Sequence, residues 1–128
     1  MPFMRSVAAE LPYLRRYART VTGASDQGDA AVRETLEALL VSPREFDVTR
    51  PPRLELYRIF HHLWRSETIS ALKSSGPIAH LTPRSRQALL LTAVEGFSVN
   101  EAAGILAISA DEVRDDVEEA RTHLADEL

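Results

Sequence analysis

The sequence predicts an all-α protein made of two small helical bundles joined by a linker. Apolar residues recur at helical spacing in several segments, and no segment alternates apolar and polar residues for long. Hydrophobic residues make up 45% of the 128 residues and charged residues 27%, which is the balance of a folded protein. The helix-breaking segment Lys73–Pro77 divides the chain. We therefore expect one bundle over residues 1–71, a linker over 72–81 and a second bundle over 82–128.

Three helices are predicted in the N-terminal bundle. The first has Pro12 in its opening turn and stops at Gly23. The second runs from about Asp26 to Val41, and the third opens at the proline pair that ends with Pro52. The expected buried faces, helix by helix, are Tyr13, Leu14, Tyr17, Ala18 and Val21; Val32, Leu36, Leu39 and Leu40; and Leu56, Ile59, Phe60, Leu63 and Trp64.

Three more helices are predicted in the C-terminal bundle. Thr82 is a suitable N-cap for a helix that starts at Pro83 and stops at Gly96. Two Ser-x-x-Glu pairs have the spacing of capping boxes and predict the two helices that follow. The pairs are Ser98 with Glu101 and Ser109 with Glu112. A short helix, a tight turn near Ala107 and a longer helix make a helix-turn-helix, whose second helix normally enters the major groove of DNA.

Charge is distributed unevenly along the chain. Residues 1–108 contain 13 Lys/Arg and 11 Asp/Glu, a net charge of +2. Residues 109–128 contain eight Asp/Glu and two Arg, a net charge of −6. DNA affinity depends mainly on Lys and Arg that displace counterions from phosphates, so we expect this last helix to be repelled by DNA. The alternative is that the acids only keep a surface helix soluble.

Several classes of function lack support in the sequence. The chain contains no cysteine, and its four histidines lack the companions that zinc sites use. Ser98 and Ser109 are interpreted as helix caps instead of nucleophiles, and no glycine-rich phosphate loop is present. We therefore expect no enzyme activity, no cofactor and no metal. With no secretion signal or apolar span apparent, a cytoplasmic location is expected.

Two parts of the chain carry a family resemblance. The residues concerned are Leu81–Leu91, Glu95–Ser98, Glu101–Ala103, Ile105, Leu106, Val113, Ala120 and Arg121, and, near the N-terminus, Leu11–Arg19 with Thr22 and Gly23. The first set resembles region 4 of extracytoplasmic-function sigma factors, and the second resembles the start of region 2. The segments Gly28–Thr35 and His61–Arg65 depart from the polymerase-binding and promoter-melting segments of that family.

Taken together, these features resemble the sigma-like domain of the PhyR family, the general stress response regulators of alphaproteobacteria. The resemblance implies a protein that mimics a sigma factor, sequesters the anti-sigma factor NepR and so releases the true sigma factor. In that family a phosphoaccepting receiver domain normally follows the sigma-like domain, so a receiver domain is an expected partner of residues 1–128. The alternative is a genuine short sigma factor or another helix-turn-helix DNA-binding regulator. Asp116 and Glu119 oppose it, because they stand where sigma factors of this kind generally carry basic residues.

The partner-binding residues are predicted on two helices. On the last helix, Val113 and Val117 are candidates that the core is at least as well suited to explain, and Asp116 and Glu119 are charged candidates expected to be exposed. On the second helix the candidates Leu36, Leu39 and Leu40 either face the partner or pack internally. An amphipathic helix of the anti-sigma factor lying in a groove is the expected binding mode.

Overall fold

The computed structural model describes residues 3–64 and 83–127, and these contain six α-helices and no strand. The helices are α1 (Phe3–Thr22), α2 (Ser25–Val41), α3 (Pro52–Leu63), α4 (Pro83–Leu89), α5 (Val99–Leu106) and α6 (Ala110–Glu127). A 3-10 turn spans Pro43–Glu45. The all-α class is confirmed. The predicted linker over 72–81 and the predicted Thr82 cap lie outside the described residues.

Helix α1 begins nine residues before the predicted start at Pro12, so that prediction is wrong. Pro12 lies in the interior of the helix, where it removes one backbone hydrogen bond. The residues before it form part of the core, since Val7 is fully buried. Packing of these additional turns, with Val7 buried in the core, offsets one missing hydrogen bond. The predicted stop is correct: Gly23 has a φ of 79° and its N–H donates to the Arg19 carbonyl at 3.0 Å.

Helices α1 and α2 approach each other closely at Gly28. A Cβ built on Gly28 would lie 2.6 Å from the Cα of Arg19, closer than real Cβ atoms come. The next residue, Asp29, receives two hydrogen bonds from Arg19, at 2.8 and 2.9 Å. These bonds hold the pKa of Asp29 below its usual range. Glycine at position 28 is therefore what lets the two helices meet.

The predicted stripes of α2 and α3 are largely buried, with two exceptions. Leu40 is 57% exposed and Leu63 is 43% exposed, so their predicted burial is wrong. About 100° of helical rotation separates Leu40 from the buried Leu39, and Leu63 is the last residue of α3. Tyr13, at the edge of the α1 stripe, is exposed in the same way.

The predicted stop at Gly96 and both predicted capping boxes are present in the structure. Helix α4 continues through a π-helical turn, Leu90–Val94, and ends at Gly96 with a φ of 79°. Both capping boxes form, with serine Oγ accepting from the glutamate N–H at 3.1 Å in each. Between α5 and α6, Ala107 adopts a left-handed φ of 57° and makes the tight turn. The helix-turn-helix is therefore formed as predicted.

The two halves pack against each other through α3 and α5. The rings of Tyr57 and Phe97 meet edge to face with centroids 5.1 Å apart. Arg53 stacks on the Phe97 ring, its guanidinium carbon 5.1 Å from the centroid. The buried apolar residues of both halves belong to one continuous core.

Candidate partner-binding surface

Helix α6 is tied to α4 by a charge network centred on Arg84. The Arg84 Nε donates to Asp116 Oδ2 at 2.6 Å, and its NH1 donates to Glu112 Oε2 at 3.1 Å. The hydrogen bond that Arg84 donates to Asp116 raises the pKa of Arg84. The Ser109 cap holds the pKa of Glu112 below its usual range. Two of the acids that distinguish α6 thus have partners within the protein.

Asp116 is buried, so the prediction that it is exposed is wrong. Its side chain is 7% exposed, whereas that of Arg84 is 44% exposed. The physical reason is the pairing itself, because a carboxylate can lie against the neighbouring helix only when a cation and hydrogen bonds compensate the lost water. Asp116 therefore serves the packing of α4 on α6.

Glu119 is exposed, as predicted. Its Oε2 accepts a hydrogen bond from the Ser85 hydroxyl at 3.2 Å, which leaves most of the carboxylate facing solvent. Other exposed acids extend the same helix, namely Asp111, Asp115, Glu118 and Asp126. Only Arg114 and Arg121 provide positive charge on α6, so its solvent face is acidic despite the network at Arg84.

The predicted apolar candidates divide by exposure. Val113 is fully buried and Leu39 is 1% exposed, so both belong to the core of the free chain. Val117 and Leu36 are partly buried and pack against that core. Leu40 offers the largest accessible apolar surface among them. The structure places the α2 and α6 candidates on separate halves: α2 packs on α1 and α3, and α6 packs on α4 and α5.

A groove between α2 and α3 provides an apolar surface that the sequence analysis did not locate. Its volume is about 580 Å³. Val41, 81% exposed, and Leu63, 43% exposed, line it, with Leu39 and Ile59 also in the lining. Glu34, Glu37 and Glu45 add an acidic rim, whereas Leu40 is not among the lining residues. The sequence signal that could have located the groove is the run of three apolar residues, Leu39, Leu40 and Val41, at the end of α2. One buried stripe does not include three consecutive residues, because successive positions on a helix differ by about 100°.

The buried histidine on α3 is uncharged. His61 Nε2 and the Tyr17 hydroxyl are 2.6 Å apart, and burial lowers the pKa of His61 to about 3. The same burial raises the pKa of Tyr17. Within the described residues, no group of three or more His, Asp or Glu is arranged to hold a metal ion. Nor does any described helix have the length and apolar character needed to cross a membrane.

These features define a class of protein: a helical domain of sigma-factor type whose helix-turn-helix presents an acidic second helix. A family model described as the Sigma2 domain of PhyR matches residues 7–61. A second, described as the sigma-like domain of the response regulator PhyR, matches residues 78–127. The chain therefore belongs to the family of PhyR sigma-like domains.

Individual relatives agree with that assignment. The phyllosphere-induced regulator PhyR of Methylorubrum extorquens is 38% identical over 95% of this chain and 49% of its own length. The solved PhyRSL–NepR complex from Sphingomonas sp. Fr1 is 40% identical, with a TM-score of 0.84 over 98% of this chain and 88% of the matched chain. The chain thus spans about half the length of the curated PhyR relative.

The same fold occurs in a sigma factor. RpoE of Bartonella quintana, solved in complex with the anti-sigma factor NepR, matches 98% of this chain and 95% of its own with a TM-score of 0.81. At 19% identity this likeness concerns the fold alone.

Proposed function

We propose that this chain is a sigma-factor mimic that captures a NepR-like anti-sigma factor and so releases the true sigma factor. The observation that carries the proposal is a sigma-factor fold whose second helix of the helix-turn-helix has an acidic solvent face. A helix with that face meets phosphate unfavourably, because each carboxylate opposes the counterion release on which DNA binding depends. The same face attracts a basic protein surface.

The partner's identity is proposed from relatives. A PhyR sigma-like domain 40% identical to this chain was solved in complex with NepR. Shared fold and shared family make the same kind of partner the simplest expectation for this chain. The proposed action is binding and sequestration in the cytoplasm, without catalysis, as part of a general stress response.

The α2–α3 groove is the proposed seat of an amphipathic helix from that partner. Val41 and Leu63 provide exposed apolar surface, and apolar anchors supply most of the affinity in helix-in-groove binding. The rim contains Glu34, Glu37 and Glu45, while its cation Arg58 already pairs with Glu55. An amphipathic helix with apolar anchors and basic flanks fits this arrangement.

The acidic face of α6 is the proposed second contact. Glu119 is its best placed member among the predicted site residues, because its charge is accessible and Asp116 is occupied by Arg84. Four of the predicted residues contribute to the proposed site indirectly, because their packing holds α2 and α6 in place. They are Val113, Val117, Leu36 and Leu39. Leu40 lies outside the groove and marks an alternative contact surface on α2.

A receiver domain is the proposed regulator of this interaction. The matched family model describes PhyR as a response regulator, and the curated relative is about twice as long as this chain. Phosphorylation of a receiver, covalently linked or separate, would then control access to the groove and to α6.

The decisive experiment compares two ligands at physiological salt. Purified chain is titrated with a NepR-like protein and, separately, with duplex DNA carrying a sigma-factor promoter. We expect submicromolar protein binding, displacement of sigma from the anti-sigma factor, and no sequence-dependent DNA complex. Specific, salt-sensitive DNA binding without protein binding would establish the short sigma factor instead.

Three aspartate substitutions locate the contact. Val41→Asp lies in the groove, Leu40→Asp lies on α2 outside it, and Val48→Asp is an exposed apolar control, 69% exposed, outside the groove lining. We expect Val41→Asp alone to weaken partner binding by at least tenfold, about 1.4 kcal/mol. Loss with Leu40→Asp alone would move the contact to the other side of α2.

A further inference from the structure

Glu95 connects the two halves of the protein. It follows the π-helical turn at the end of α4, and its side chain is 1% exposed. Three side chains of the N-terminal half bind it. The Tyr57 hydroxyl donates to Oε1 at 2.9 Å, and Arg16 and Arg53 each donate an NH2 group to Oε2, at 3.2 and 3.3 Å.

The local backbone aims this carboxylate at the N-terminal half. The Glu95 N–H donates to the Leu90 carbonyl at 2.9 Å, five residues back. A π-helical turn contains one residue more than an α-helical turn, so it rotates the side chain that follows by about 100°. Gly96 then reverses the chain with its φ of 79°. Without the extra residue, Glu95 would face another side of α4.

The surroundings of Glu95 make the contact specific. Arg53 is sandwiched among aromatic rings, 5.1 Å from the centroids of Tyr13 and Phe97 and 5.7 Å from that of Tyr57. A carboxylate without water is stable only where its partners are placed to compensate. Because all three partners belong to the other half, that compensation exists in one relative arrangement of the halves.

We propose that Glu95 is a positioning residue that locks the two halves in the arrangement that binds the partner. The inference rests on the proposed function, in which the groove on the N-terminal half and α6 on the C-terminal half engage one protein. A partner that touches both halves binds only molecules whose halves are correctly placed. The apparent dissociation constant for the partner therefore equals the intrinsic constant divided by the fraction of molecules whose halves are correctly placed.

The test measures the distance between the halves and the affinity on the same variants. The chain contains no cysteine, so Arg33→Cys on α2 and Thr122→Cys on α6, both exposed, accept spin labels at defined sites. The variants are Glu95→Gln, Tyr57→Phe, and the control Asp26→Asn, an exposed carboxylate remote from the contact. Electron–electron distance distributions are recorded with and without a NepR-like protein.

The parent is the doubly labelled chain without a further substitution. We expect one narrow distribution of the distance between the two spin labels in the parent and in the control Asp26→Asn, and a broader distribution in Glu95→Gln. The affinity of Glu95→Gln for the NepR-like protein falls on the order of tenfold, in proportion to the fraction of molecules whose halves are correctly placed. Tyr57→Phe, which keeps both arginine pairs, has an intermediate effect. It also serves as the test variant if Glu95→Gln fails to fold, as judged by circular dichroism.

Two results would overturn the proposal. An unchanged distance distribution in Glu95→Gln shows that the carboxylate does not lock the halves. A broadened distribution with unchanged affinity shows that the partner does not require the locked arrangement. Failure of the parent to bind any NepR-like protein would refute the proposed function, while the distances alone would still decide whether Glu95 locks the halves.

Discussion

Charge reversal at two neighbouring carboxylates on α6 should change the stability of the fold by very different amounts. Asp115 is exposed, and Asp116 has a side chain that is 7% exposed and bound to Arg84. Asp116→Arg therefore places an uncompensated guanidinium group at a buried position beside Arg84, which costs about 3–5 kcal/mol of folding free energy. Asp116→Ala loses both hydrogen bonds from Arg84, one short at 2.6 Å and one long at 3.4 Å, but Arg84 can be hydrated, so the cost is about 1.5 kcal/mol. Asp115→Arg and Glu119→Arg should each stay within about 0.5 kcal/mol.

Thermal and denaturant unfolding followed by circular dichroism give these free energies. For a chain of this size, about 4 °C of melting temperature corresponds to 1 kcal/mol. We expect losses of about 6 °C for Asp116→Ala and at least 12 °C for Asp116→Arg, with the two exposed variants within about 2 °C. The swapped pair Arg84→Asp with Asp116→Arg should recover part of the loss, which identifies direct coupling. An Asp116→Arg protein as stable as Asp115→Arg would refute the assignment of Asp116 as a buried, paired carboxylate.

Glu119→Arg separates folding from binding. It should leave the melting temperature in place and slow association with a NepR-like partner several-fold at low salt, with a smaller effect at high salt, because exposed charges act on encounter rates and are screened. Equal association rates for the parent and the variant at both salt concentrations would exclude α6 from the partner-binding surface.

Three further predictions concern stability and architecture. His61 has a pKa of about 3 in the folded protein and about 6.5 in the unfolded chain, so it stays neutral while the protein is folded. Below pH 6.5 the unfolded chain therefore binds one proton more than the folded protein, and the free energy of unfolding falls as the pH drops. Between pH 7.5 and pH 5 the loss should be about 2 kcal/mol, and His61→Gln should lack it; a parental slope in that variant would assign the effect to other groups. Gly28→Ala should destabilise by about 1–3 kcal/mol because its Cβ meets the α1 backbone, whereas Gly104→Ala, with open space around it, should stabilise by up to about 1 kcal/mol; similar melting temperatures for both would contradict the close approach. Limited proteolysis should cut first within Lys73–Pro77, and the two fragments should stay associated through α3 and α5; a first cut within Asp26–Val41, or fragments that separate on gel filtration, would count against this.

Local features of the fold were predictable from the sequence. Each capping box depends on a serine and a glutamate three residues apart, and Gly23 and Gly96 stop their helices through their own backbone freedom. The start of α1 was mistaken because Pro12 suits a first turn, while burial of the preceding residues decided the outcome.

The candidate site was less predictable because it depends on distant pairs. Whether Asp116 is exposed is decided by Arg84, 32 residues away, and no spacing rule links the two. Glu95 appeared in the sequence only as the end of a helix, whereas its partners lie 38 to 79 residues away. The groove was indicated in part, since the apolar end of α2 has more apolar residues than one stripe can bury.

Asp116 also limits how this protein can change through evolution. A change towards a DNA-reading helix needs positive charge on α6, and a single substitution of Asp116 by Lys or Arg would provide it. That change first disrupts the pair with Arg84, so the intermediate is destabilised before it gains any affinity for phosphate. A compensating substitution at Arg84 gains nothing until position 116 has changed. The packing of α4 on α6 therefore opposes the gain of positive charge at position 116, and with it one route to nucleic-acid binding.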